Sequence, residues 1–453
     1  MFKEISPLDG RYARALAPLG DLFSEFALAQ ERCTIELNYL KALDEIGTFP
    51  ALNKDELGRI DAALASFLDA DFSRIKALEA ETHHDVKACE LFLREKLELR
   101  HPGMIHFGLT SADINNLSYA CLLRRFRDMH QRPQLREFLK ELVELAERWK
   151  SIPFPARTHG QPASPTTAGK EIAVFVSRLL KQVESLAALR FTGKLNGATG
   201  TYAALATAAP DIDWPAFSKQ FVENLGLDWS ACTTQIEGFD TLAEYLHLTA
   251  RINNIVLDLD QDMWQYISRG EIVQKAMPGE VGSSTMPHKV NPIRFENSEG
   301  NITIANALIH AMTNKLTQSR MQRDLSGSTI QRNVGVALAH SYLAVQQTMQ
   351  GLSRIDLAAD VAKQHVEASP EVLAEAVQTV LRAEGVENPY ELLKSLTRGS
   401  TITLESFRKW IDGLDIRDSA KAQLKALQPS DYIGLAETTA VEVIREAQTW
   451  LAR

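Results

Sequence analysis

The chain has 453 residues, of which 45% are hydrophobic and 24% charged, and its net charge is −9. That length supplies two or three domains with a large core, and the composition is that of an ordinary globular protein. The acidic balance argues against a generic nucleic-acid surface, which needs a basic excess, and admits an anionic small molecule only where arginines and lysines gather in a cleft. The opening Met1-Phe2-Lys3-Glu4-Ile5-Ser6-Pro7 lacks the apolar core of a signal peptide, and no run of eighteen apolar residues suggests a membrane span. Cys33, Cys89, Cys121 and Cys232 lie far apart without a C-x-x-C pair. Neither a disulfide framework nor a zinc knuckle is therefore expected, and a reducing cytoplasm fits.

In chain order, residues 1 to about 110 carry shorter helical stretches and frequent breaks. Two polar islands interrupt them: Thr82-His83-His84-Asp85-Val86-Lys87, and His106 followed by Gly108-Leu109-Thr110-Ser111-Ala112-Asp113-Ile114-Asn115-Asn116. Each has a plain structural explanation. Thr110-x-x-Asp113 has the form of a capping box, and His83 and His84 taken alone read as exposed histidines of a helix surface.

Helical periodicity then dominates. Leu135, Phe138, Leu139, Leu142, Leu145, Ala146 and Trp149 form one stripe, and Ile172, Phe175, Val176, Leu179, Leu180, Val183 and Leu186 another. Further long helices are expected over about 241–268, 301–317 and 334–352, enough for an elongated bundle. Between these segments lie the island Arg157-Thr158-His159-Gly160-Gln161-Pro162 and the glycine-rich turn Lys194, Asn196, Gly197, Gly200, Thr201, Tyr202. The turn has neither the P-loop nor the dinucleotide-binding pattern and reads as a tight helix connection, whereas an imidazole set between Thr158 and Gly160 suggests that its direction matters. Metal binding is the rival use for these histidines, but no H-E-x-x-H or Cys/His ligand pattern is present and no metal or other cofactor is expected. From about His365, Ser369-Pro370-Glu371 and Asn388-Pro389-Tyr390 each place a cap before a proline at the first helical position. The expected architecture is all-α, in three domains at 1–110, 111–364 and 365–453, with the long bundle in the middle.

The most specific stretch is Gly282-Ser283-Ser284-Thr285-Met286-Pro287-His288-Lys289-Val290-Asn291-Pro292. Gly282, Pro287 and Pro292 keep it out of regular helix or strand, so it reads as a polar loop between helices. Hydroxyls, backbone N–H groups and the Lys289 ammonium suit a site that makes a carbanion beside a carboxylate. Such a site needs a base for the proton and donors for the developing charge.

This run resembles the GSSxMPxKxN signature of the fumarase/aspartase superfamily, whose members cleave C–N or C–O bonds and release fumarate. His84-Asp85-Val86, His106-Phe107-Gly108-Leu109-Thr110-Ser111, Thr158-His159-Gly160-Gln161-Pro162 and Ser283 to Pro292 together resemble the adenylosuccinate lyase family. Ser6-Pro7-Leu8-Asp9-Gly10-Arg11-Tyr12 and the segment from Arg323 to Asn333 are similar to its longer bacterial form. His288 stands where fumarases and aspartases typically carry glycine and argininosuccinate lyases glutamine, while Gly327 and Thr199-Gly200-Thr201-Tyr202 depart slightly from the pattern.

The resemblance implies elimination of fumarate from two succinylated ribose phosphates of purine synthesis. It assigns Ser283 as general base, His159 as general acid, and Lys289 with Asn291 as stabilisers of the carboxylate. His84 is implied near the phosphate or leaving group, oriented by Asp85. His106, Thr110 and Ser111 belong to the substrate end, Arg11 and Tyr12 to the nucleotide, and Arg323, Ser328 and Arg332 to the phosphate. Gln235 is a substrate contact, and Thr158, Ser284 and Met286 join the substrate-binding set from the same motifs. The resemblance also implies a homotetramer with a helical core and active sites shared among three subunits. Another fumarate-releasing lyase, a non-catalytic relative of the crystallin kind, or a helical scaffold remain as rivals. His288 and the pair His83–His84 speak against the first, the intact set Ser283, Lys289, Asn291 and His159 against the second, and the five polar islands against the third.

Overall fold

A computed structural model describes residues 3–275, 286, 289–397 and 403–453, without the side chains of 395–397. The periodic segments form helices Arg132–Trp149, Ala168–Ala188, Asp240–Arg269, Ile293–Leu316 and Val334–Leu352. The two stripes named above are buried along their whole length, as amphipathic helices facing a core must be. Ser111–Phe126 runs through the single π-helical turn Arg127–Gln131 into Arg132–Trp149. Pro133 has no N–H to give this turn, and the widened π geometry carries the helix past it. At Gly169 a Cβ would lie 2.3 Å from the Ala146 carbonyl oxygen and 2.4 Å from the Lys150 backbone. The helices Arg132–Trp149 and Ala168–Ala188 therefore meet there backbone to backbone.

Among the described residues, three two-stranded sheets supplement this all-α architecture. Pro153–Thr158 pairs antiparallel with Gln161–Thr167, Thr192–Gly193 parallel with Asp228–Trp229, and Ile272–Gln274 antiparallel with Ile355–Leu357. The first is a correction to the expected loop between two helices: the Thr158–Pro162 motif sits at the tip of a hairpin.

The contacts divide the chain into two compact units. One comprises Met1–Gln134, Glu184–Asn254 and Gly300–Ala344, the other Leu135–Val183, Ile255–Glu299 and Val345–Arg453. Within the first, Cys33, Leu37, Leu40, Ile60, Ile75, Leu78, Phe92 and Leu93 belong to one apolar cluster, all of it from residues 29–105. Within the second, Leu373, Val377, Leu381, Phe407, Ile411 and Leu424 form a smaller cluster of C-terminal helices. Pro370 does open a short 3-10 turn and Pro389 a helix, but the expected caps are not made. The Ser369 side chain gives no capping bond, and Asn388 stands at φ 52°, away from the extended conformation of an N-cap. Among the described residues no helix is long and apolar enough to cross a membrane.

Candidate active site

His84 owes its place to two helix ends. Asp69–Thr82 stops at His83, which takes the left-handed conformation (φ 53°), and Asp85–Leu97 starts with His84 as N-cap. The N-cap bond is unusual: the Lys87 backbone N–H donates to His84 Nδ1 at 3.1 Å. A ring nitrogen that accepts carries no proton, so the imidazole proton sits on Nε2, 3.5 Å from Ser111 Oγ at the outer edge of hydrogen bonding.

The expectation that Asp85 orients His84 is corrected. The nearest approach is 3.8 Å, and Nδ1 is already engaged as an acceptor. Asp85 instead accepts, on one oxygen, from Arg32 at 2.8 Å and Arg332 at 2.9 Å, while its other oxygen takes the Val86 N–H at 2.9 Å. Burial works to raise this carboxyl, but the two guanidiniums and the N–H outweigh it and hold it down at about 2.

Thr110 and Ser111 begin the helix Ser111–Phe126, where the Thr110 N–H donates to Asp113 at 2.9 Å, the half of the capping box read from sequence. Asp113 does more than cap. Its other oxygen lies 2.8 Å from Lys194 Nζ and accepts from the Asn196 and Gly197 N–H groups at 3.1 and 3.3 Å. The glycine-rich turn is thus tied to the start of this helix. Gly200, at φ 77°, has no room for a side chain, since a Cβ would lie 2.1 Å from the Thr233 carbonyl oxygen. Against this turn Gln235 donates to the Ala198 carbonyl at 2.9 Å and accepts from Arg323 at 3.1 Å, so it holds that arginine by a neutral contact. His106, also left-handed at φ 62°, faces Glu36 with 2.5 Å between Nδ1 and the carboxylate. Burial opposes the charged imidazole, yet Glu36 prevails and the His106 pKa is raised.

These elements leave a cavity of about 240 Å³ in the first unit, lined by Arg323, Ser328, Arg332, His84, Asp85 and Arg32 among others. Four of the residues named for phosphate or leaving group therefore share one space. Arg11 is exposed in the turn before the helix Ala13–Phe23 and Tyr12 caps it, and neither lines this cavity. Asn115, Tyr119 and Gln331 also line it, without having been assigned a role. Arg32 and Glu36 escaped notice altogether, although a signal exists. They stand one turn apart on the stripe Leu28, Arg32, Ile35, Glu36, Tyr39 of the helix Glu25–Ile46, whose other members are hydrophobic, and both are at most 5% exposed. Charges on a core-facing stripe need partners, and partners of buried charges cluster at sites.

The second unit holds the other named residues. Thr158 pairs with Gln161, and the two residues between them, His159 (φ 53°) and Gly160 (φ 75°), make the hairpin turn. Two consecutive positive φ values match the primed turns favoured in tight hairpins. The turn is exposed and presents the His159 side chain at the tip of a two-stranded arm. Met286 and Lys289 are exposed and Asn291 half-buried; the Lys289 N–H donates to the Met286 carbonyl at 3.0 Å, and Gln274 donates to the Val290 carbonyl at 2.9 Å. Ser283 and Ser284 lie outside the described residues. Among those residues no three His, Cys, Asp or Glu side chains converge to hold a metal ion.

The chain is similar to known proteins along nearly its whole length. A family model described as Lyase matches residues 18–306, and one described as Adenylosuccinate lyase C-terminal matches 319–433. The Escherichia coli K12 protein named adenylosuccinate lyase is 44% identical over 447 residues, covering 97% of this chain and 98% of its own. Its namesake from Haemophilus influenzae is 45% identical over 440 residues (95% and 96%), and that from Dictyostelium discoideum 44% over 449 (95% and 96%). Among solved structures, a fumarate lyase from Mesorhizobium sp. BNC1 has a TM-score of 0.79 at 19% identity, covering 95% of this chain and 97% of its own. The 3-carboxy-cis,cis-muconate lactonizing enzyme from Pseudomonas putida has a TM-score of 0.77 at 20% identity, covering 96% and 98%. At such identities the likeness concerns the fold, which is all-α. The full-length matches go further: the chain belongs to the adenylosuccinate lyase family and is an enzyme of the lyase class.

Proposed function

We propose that this enzyme eliminates fumarate from adenylosuccinate to leave AMP, and from succinylaminoimidazole carboxamide ribotide to leave AICAR, in purine biosynthesis. The observation that carries the reading is the cavity shared by Arg323, Arg332, Ser328 and His84 in a chain of net charge −9. An acidic protein gathers guanidiniums around a hydroxyl in this way to hold an anion, and a ribose phosphate is the anion both substrates carry.

The chemistry is a proton removal beside a carboxylate followed by departure of an amine. Ser283 is the base. Once deprotonated, the Ser283 alkoxide takes the proton and becomes the hydroxyl, charge builds on the substrate carboxylate, and Lys289 with Asn291 stabilises it. The electron pair then forms the fumarate double bond as the C–N bond breaks, and His159 gives its proton to the leaving nitrogen. A free serine is a weak base, so it must lose its own proton within the site, where exclusion of water strengthens nearby cations. An imidazole suits the acid role near neutral pH. His84 stands by the phosphate or leaving group, its Nε2–H directed toward Ser111. Arg11, Tyr12, His106, Thr110, Thr158, Gln235, Ser284 and Met286 complete the substrate contacts.

His159 at the tip of an exposed hairpin supports a site completed by other copies of the chain. We place the enzyme as a cytoplasmic homotetramer of three-segment subunits (1–110, 111–364, 365–453), with each site drawing on three of them. The test is incubation of the purified protein with adenylosuccinate, beside argininosuccinate as control. The reading requires AMP and fumarate from the first and no turnover of the second.

A further inference from the structure

We propose that Arg32 is a positioning residue for the anion the cavity takes: it cancels the charge of Asp85, so that Asp85 can aim Arg332 without repelling a phosphate. This rests on the phosphate reading given above. Arg32 lines the cavity from the helix Glu25–Ile46 and is 5% exposed. Its Nε–H donates to Asn115 at 2.9 Å, and its other arm donates to Asp85 at 2.8 Å. Arg332, half in solvent, ends on that same Asp85 oxygen at 2.9 Å.

The cations and carboxylates around the cavity can be matched one by one. Three arginines and two carboxylates line it, Arg32, Arg323 and Arg332 against Glu79 and Asp85. Glu79 is bonded by Lys76 at 2.8 Å, an ammonium it shares with Glu25 at 3.1 Å, a carboxylate that does not line this cavity. Asp85 has Arg32, which is buried and held by a second bond, so it stays when a ligand arrives. That leaves two guanidiniums unspent: Arg323, resting on neutral Gln235, and Arg332, which only shares Asp85. A phosphate monoester carries close to two negative charges, so these two cations balance it. Without Arg32 the match fails. Arg332 would be the only counter-charge of Asp85, and a phosphate would have to compete with a carboxylate for it while being repelled by that carboxylate.

The experiment compares Arg32→Met, Arg32→Lys and the double variant Arg32→Met/Asp85→Asn by steady-state kinetics on adenylosuccinate, with inorganic phosphate and AMP as competing ligands. Arg32→Met should raise KM and weaken both competitors by roughly 10- to 100-fold while kcat changes by less than about threefold, as expected for lost charge complementarity in binding. Arg32→Lys keeps the charge and should stay within roughly fivefold of the parent. The double variant should recover most of the loss, because asparagine still accepts from Arg332 but carries no charge to repel the ligand. A double variant no better than Arg32→Met, or a lysine variant as impaired as the methionine one, overturns the inference, since packing alone would then explain the residue. Unchanged KM and competition in Arg32→Met overturns it too and leaves the cavity reading standing. Failure of phosphate and AMP to compete in the parent enzyme removes the phosphate reading and the inference with it.

Discussion

Asp113 and Lys194 form an ion pair at 2.8 Å in which neither side chain is exposed at all. It joins the first turn of the helix Ser111–Phe126 to the glycine-rich turn, and further hydrogen bonds hold both partners in place. Lys194 Nζ also donates to the Gly197 carbonyl at 3.1 Å, and Asn116 exchanges two hydrogen bonds with the Lys194 backbone at 2.9 and 3.1 Å. Burial lowers the Lys194 pKa against the pull of Asp113, which marks an ammonium that depends on its partner.

Removing either member alone strands the other in the interior. Asp113→Asn or Lys194→Met should each cost about 3–5 kcal/mol, whereas the same two substitutions together should cost clearly less than the sum. Urea unfolding of the four proteins tests this. Additive losses would mean that the two groups act independently.

The Glu36–His106 contact predicts a pH dependence. The folded-state pKa of His106 is raised above its ordinary value, chiefly through Glu36 against the effect of burial, with Glu90 and Asp113 adding to it. The stabilisation is therefore fully present below the ordinary histidine pKa of 6.5 and is lost as pH rises through the elevated value. The stability gap between the parent and Glu36→Gln should be widest on the acid side and narrow above neutrality. A gap that widens with rising pH would contradict the protonated pair.

His84 has two jobs that substitutions can separate. Asparagine reproduces an acceptor near Nδ1, so His84→Asn should keep the cap on the helix Asp85–Leu97, whereas His84→Ala should lose about 1 kcal/mol. Both remove Nε2–H and should lower kcat/KM by about tenfold or more. Thermal unfolding and kinetics on the same samples check the split. An asparagine variant with full activity would show that only the cap matters.

Much of this was legible in the sequence because it follows from periodicity. The stripes from Leu135 to Trp149 and from Ile172 to Leu186 are core, and the Asp113 half of the capping box at Thr110 is in place. The arm carrying His159 was not legible as strands, because Pro153, Pro155, Pro162 and Pro165 suppress any strand signal. Its two strands pair across the turn His159-Gly160, with a break in register between Phe154 and Ala156. Asp85 was assigned to the wrong partner because its real ones, Arg32 and Arg332, lie 53 and 247 residues away. Sequence neighbours suggested His84, and three-dimensional proximity decided otherwise.

The proposed division of labour between chains gives a further outcome. Ser283→Ala and His159→Ala should each lose about three orders of magnitude in kcat. Mixed under conditions that exchange subunits, the two inactive proteins should regain part of the activity, because some sites then receive neither lesion. Exchange demonstrated by mass without any recovery would place both groups in one chain.

The most direct measurement is the product balance from adenylosuccinate. Purified enzyme should release AMP and fumarate in equal amounts, with Ser283→Ala folded, able to bind the substrate and nearly inactive. Intact adenylosuccinate after prolonged incubation with the folded parent enzyme, or a Ser283→Ala variant that turns it over at the parent rate, would contradict the account.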